Sequence, residues 1–173
     1  MNENHKSHIE ELIKVGILDL EDLEINRSGY LSQRQKHRLY FYVSFWLILA
    51  GIDMIILALF IYFQLVFQRN FITGIIGSCF IIVPAYMSFA NAKPHWEDLQ
   101  DDKPNTASGK IYKHFTLRSG GTAGKSQIGY CSIGIGDQTF SISPLIYDYI
   151  IAEGYYRVYF VSNSRKLLNI EPL

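Results

Sequence analysis

The hydrophobic and polar positions change their rhythm along the chain, and the changes mark out its parts. From Leu39 to Gln68 the only charged residue is Asp53, and from Phe71 to Ala92 there is none. Each run exceeds the ~20 residues that cross a bilayer core of ~30 Å. They predict two membrane helices, at about residues 42–66 and 71–91. The first run opens with "LYFYVSFW", whose aromatic rings suit the headgroup region. The short connection "QRN" makes the two helices an antiparallel hairpin. A soluble hairpin would need a large core to bury it, which a chain of 173 residues does not have.

Before the hairpin the apolar spacing is helical. Ile9, Leu12, Ile13, Ile17, Leu20 and Leu23 fall on one stripe. Ser7 and Glu10 have the spacing of a capping box, while Gly16 weakens the case for one unbroken helix. The stripe could lie on a membrane, on a partner or on the chain's own C-terminal domain. The segment "EINRSGYLSQRQ" then resembles an EF-hand calcium loop, with Glu24, Asn26 and Ser28 at its first, third and fifth positions and Gln35 at its twelfth. Glu24 would be the only carboxylate in that ligand set, which is poor for a hard dication. The same letters also read as a turn followed by a second capping box, Ser32 with Gln35, opening the first membrane helix.

After the hairpin, "PHWEDLQDDKPNTASG" reads as a polar linker, and the rhythm then turns to strands. Strands are expected at about 110–117, 127–135, 138–142, 155–161 and 166–170. Gly136-Asp137 turns the second strand into the third. "PLIYDYIIAE" is a helix with Pro144 at its first position and its stop at Gly154. Three strands, a helix and two strands is the element order of an OB-fold, with an SH3-like barrel as the alternative. The expected fold class is α+β, with an N-terminal amphipathic helix, a two-helix membrane hairpin and a C-terminal five-stranded small β-barrel. The parts are residues 1–38, 39–92, 93–108 as linker, and 109–173.

Within the hairpin, Gly74 and Ser78 form a small-xxx-small pair that permits close helix approach. Asp53 is the anomaly. An acid at the bilayer centre costs roughly 2.5–3.5 kcal/mol. It can lock the hairpin through Ser78 or a backbone carbonyl, meet a polar group of another chain, or carry a proton or ion. No second charge lies in either span to serve as a relay.

Composition changes this picture little. Hydrophobic residues make up 49% and charged residues 18%, with a formal net charge of zero, so bulk charge points to no nucleic-acid partner. Arg34, Lys36 and Arg38 precede the first span, Lys93 and Lys103 follow the second, and only Arg69 lies between. The basic residues place both termini in the cytoplasm, in an inner or plasma membrane. The polar residues ahead of the first span leave no cleavable signal apparent. Cys79 and Cys131 make no disulfide framework. The five histidines have no metal-ligand spacing, so no metal and no cofactor is expected. "SGGTAGKS", residues 119–126, nearly matches a phosphate-binding loop, but strand composition follows it where a helix is required. The strand aromatics are core or cross-strand residues before they are stacking platforms for bases. No catalytic constellation is present.

Two passages, "NRSGYLSQRQ" and "EGYYRVYFVSNSRKLLNIEPL", resemble uncharacterised bacterial membrane proteins with two spans and a terminal barrel. The layout is also similar to that of NfeD-type proteins. The resemblance implies no activity. The expectation is a non-enzymatic membrane protein presenting a cytoplasmic barrel to lipid, to a protein partner or to a second copy. The alternative is an accessory subunit of a transporter or channel, with Asp53 against its partner.

Overall fold

A computed structural model describes residues 3–64, 71–120 and 126–173, with side chains at 6–64, 75–116 and 129–173. The chain divides into two compact units. One combines Met1–Gln35 with Asp102–Leu173; the other is Lys36–Asp101.

In the first unit the helical stripe forms two helices, α1 (Glu3–Lys14) and α2 (Leu20–Arg27). Gly16 lies in the break. Asp19 caps α2, its carboxylate accepting from the backbone N–H groups of Glu21 and Asp22 at 3.0 and 3.1 Å. Ser7 lies inside α1, because that helix starts earlier than the expected capping box. The second capping box is formed. The N–H of Ser32 donates to Gln35 Oε1, and the N–H of Gln35 to Ser32 Oγ, both at 3.1 Å, where α3 (Gln33–Phe63) begins.

Five strands follow: β1 (Asn105–Gly120), β2 (Ser126–Ile135), β3 (Gln138–Ile142), β4 (Tyr155–Phe160) and β5 (Leu167–Pro172), with the short helix α5 (Pro144–Tyr149) between β3 and β4. All pairings are antiparallel, in the order β3-β2-β1-β4-β5. The sheet is open: β3 and β5 are its two edges and do not pair with each other. The expected barrel, OB-like or SH3-like, is therefore not formed. The NfeD-type layout and the two-span-plus-barrel resemblance fail with it.

Two features accompany the open sheet. β1 changes partner along its length, pairing with β4 through Asn105–Lys110 and with β2 through Ile111–Gly120. Two three-stranded ladders thus meet end to end on one long strand instead of wrapping round. The N-terminal helices also supply the layer that closure would have supplied. Leu12, Ile17, Leu18 and Leu23 are buried in one cluster with Ile111, Ile133, Ile135, Phe140, Tyr156, Val158 and Ile170. Of the three possible uses of the helical stripe, packing on the chain's own sheet is the one observed.

Two element ends differ from expectation for identifiable reasons. α5 stops at Tyr149, short of Gly154, because Ile150 turns extended and into the core, where its carbonyl accepts from Lys113 Nζ at 3.0 Å. The polar segment after the hairpin is mostly regular structure, since α4 (Phe71–Asp101) runs through Pro84 and Pro94 and β1 starts at Asn105.

In the second unit α3 and α4 are both long and apolar enough to cross a membrane. Their large side chains are exposed: Ile48, Ile55, Leu59, Phe80 and Tyr86 are each more than 60% accessible. Residues 65–70, where the connection between the spans was expected, lie outside the described residues.

Candidate functional site

The hairpin carries the anomalous acid, and two contacts fix the level at which it lies. The Tyr42 and His95 rings stack with centroids 5.3 Å apart. Gly77 faces the Phe60 ring so closely that a Cβ there would run into the ring. Both contacts belong to one antiparallel register, which sets Asp53 opposite Pro84 and Ser78 opposite Leu59. Ser78 is thus about 9 Å from the level of Asp53, at ~1.5 Å per residue. Asp53 is half-buried and makes no hydrogen bond or ion pair among the described residues. Gly77, beside Ser78, makes a close approach to α3. Gly74 is helical, but its surroundings lie outside the described residues.

The residues matched to the calcium loop are placed differently from a ligand cage. Glu24 is exposed within α2. Asn26 and Gln35 are buried and turned on each other: Asn26 Nδ2 donates to Gln35 Oε1 at 2.8 Å, and Gln35 Nε2 to Asn26 Oδ1 at 2.9 Å. Asn26 also donates to the carbonyl of Tyr30, and Ser28 Oγ to that of Ile25. No group of three or more His, Cys, Asp or Glu side chains that could hold a metal occurs among the described residues.

A polar cluster that the sequence did not announce ties α2 to β5. Glu171 is nearly buried. It receives an ion pair from Arg27, a hydrogen bond from the Tyr159 hydroxyl at 3.0 Å and a longer contact from Arg157 at 3.8 Å. The Glu171 carboxylate holds the Arg27 guanidinium above its usual pKa. Asn169, fully buried, accepts from the N–H of Asp19 and donates to its carbonyl. Arg34, in the first turn of α3, pairs with Asp19 and with Asp22. The backbone N–H of Asp22, then the Arg34 guanidinium, hold the Asp19 carboxyl below its usual range against the opposing effect of burial. Only Asp19 had a local signal, as an acid just ahead of further acids at a helix start. The partners of Glu171 are spread from Arg27 to Tyr159, a separation that no short pattern spans.

The near-match to a phosphate-binding loop leads into β2 at Ser126. Residues 121–125 within it lie outside the described residues. Comparison with protein families, with curated proteins and with solved structures finds no match for this chain.

Proposed function

We propose that this chain is a two-span membrane protein that works by association within the membrane rather than by catalysis. α3 and α4 cross an inner or plasma membrane, and the unit built on the open sheet is its cytoplasmic head. The basic residues flanking the hairpin favour that orientation. Residues before and after the hairpin contribute to one compact unit, as an even number of crossings requires.

The observation that carries the reading is Asp53. Its carboxyl lies opposite Pro84 with no bond among the described residues. A carboxyl left so at the bilayer centre costs about 2.5–3.5 kcal/mol. A polar group on a neighbouring transmembrane helix offsets that cost, whether the neighbour is a second copy or the subunit of a transporter or channel that this chain accompanies.

The test is purification of the full chain in mild detergent beside Asp53→Leu and Asp53→Asn, with associated chains identified by native mass spectrometry. Association lost in Asp53→Leu and largely kept in Asp53→Asn supports the reading. The same associated chains in all three variants would sink it.

A further inference from the structure

We propose that β3 is the edge through which the sheets of two copies of this chain pair. The inference rests on the reading above in that the chain works by association, but it involves different residues in the other unit.

The two edges of the sheet are treated differently by the sequence. On β5, the bond from the Leu173 N–H to the Tyr155 carbonyl at 3.0 Å sets the register, so Asn169 and Glu171 bond towards β4 while Ile170 and Pro172 face outward. The Ile170 N–H is taken by Asn169 Oδ1 at 3.1 Å. Pro172 has no N–H to offer. The ladder also slips beside Phe160, which pairs with Leu167, so that Leu168 is left over as a bulge. A side-chain cap, a proline and a bulge are the devices by which proteins disarm an exposed edge.

β3 has none of these. Its sequence, "QTFSI", has no charge and no proline, and its pairing with β2 is regular from Gln138 to Ile142. The two-residue turn Gly136-Asp137, with Gly136 at φ 55, makes Ile135 and Gln138 the pair that exchanges hydrogen bonds. Alternation then turns the N–H and C=O groups of Thr139 and Ser141 away from β2. Both residues are exposed, and none of the backbone bonds outside the ladders reaches their outward groups among the described residues.

The occupant follows from symmetry. Two β3 strands brought together antiparallel about Phe140 place Thr139 of one copy opposite Ser141 of the other, and Ser141 opposite Thr139. Each such pair exchanges two backbone hydrogen bonds, and the two Phe140 residues form the central pair. The edge is thus complementary to itself about a two-fold axis, as a closed dimer interface requires. The pairing joins two five-stranded sheets into one and covers the outward backbone groups of Thr139 and Ser141.

The experiment uses the full chain in native membranes, with Cys79 and Cys131 replaced by Ala. Chains carrying Thr139→Cys and Ser141→Cys are co-expressed and oxidised with copper phenanthroline. The expected result is a mixed dimer, one Thr139→Cys chain joined to one Ser141→Cys chain, at several-fold higher yield than either same-site dimer. Equal yields for all three combinations, or no dimer, would overturn the proposal. Thr139→Pro removes an N–H that faces away from β2, so the sheet is retained, as checked by circular dichroism, and the dimer should be lost. A dimer that survives Thr139→Pro contradicts the edge. The cross-link is also read with Asp53→Leu: a pattern kept there supports pairing through the edge independently of the membrane contact. Loss there, with Thr139→Pro harmless, would show that the hairpin holds the copies together and would reject the edge.

Discussion

Asn26 and Gln35 show how little a residue's type says about its use. In composition they belong to a ligand loop; in space they satisfy each other. Replacing Asn26 by Ala would leave the buried amide of Gln35 without its partner, which costs about 1–3 kcal/mol. The thermal midpoint of the detergent-solubilised chain should fall accordingly. Ser28→Ala, at an exposed position, should barely move it. Titratable residues add a pH dependence at both extremes. Asp19 has a lowered folded pKa, so the stability it contributes is present above its ordinary value near 3.8 and is lost as the pH falls through the folded one. Tyr156 is shifted the other way: burial raises its pKa above 10.0, against the opposing hydrogen bond from the Ile151 N–H. Its contribution is intact below pH 10 and is lost as the pH rises further. Asp19→Asn should flatten the acid limb of a stability-against-pH curve, and Tyr156→Phe the alkaline limb. The capping box of Ser32 and Gln35 was legible because both bonds span three residues. The cluster round Glu171 was not, because its members meet only after β4, β5 and α2 have docked.

Among the elements, Gly77 gives the sharpest expectation. A methyl group there would run into the Phe60 ring, and overpacking of this kind costs about 1–3 kcal/mol. Gly77→Ala should therefore loosen the hairpin, read as a lower thermal midpoint of the detergent-solubilised chain. The apolar runs, the strands and the placement of α5 were all legible, since each is bounded by local punctuation such as Gly136-Asp137 and Ser143-Pro144. The open sheet was not. Five strands and a helix in a given order fit a barrel or a sheet alike, and the choice depends on β1 changing partner between Lys110 and Ile111 and on β3 and β5 remaining apart. Neither leaves a mark within a short window. The helical stripe carried half of the answer: it announced an apolar face but not that this face would take the place of the barrel's closing wall.

For the molecule as a whole, that substitution makes the N-terminal helices part of the head's core. Leu12 is fully buried against the sheet cluster. Leu12→Ala should cost about 2–5 kcal/mol, measured as a fall in the unfolding midpoint of the head. Glu10→Ala, exposed on the same helix, should be near neutral. Deleting α1 should leave the sheet's apolar face bare and the protein prone to aggregate.

The head is also discontinuous. Its pieces lie on either side of the hairpin, and the Leu31 N–H reaches the Asp102 carbonyl at 3.4 Å where the chain leaves and re-enters the unit. The ribosome therefore cannot finish the head before the hairpin has been made. Under the proposed topology, residues 1–35 wait in the cytoplasm until residues 102–173 are delivered to the same compartment. A chain whose second helix fails to cross strands the halves on opposite sides of the bilayer, and the sheet never receives its helical cover. Under that topology folding of the head would act as a check on insertion: a correctly threaded chain would become resistant to proteolysis, and a misthreaded one would remain open to the cell's quality control.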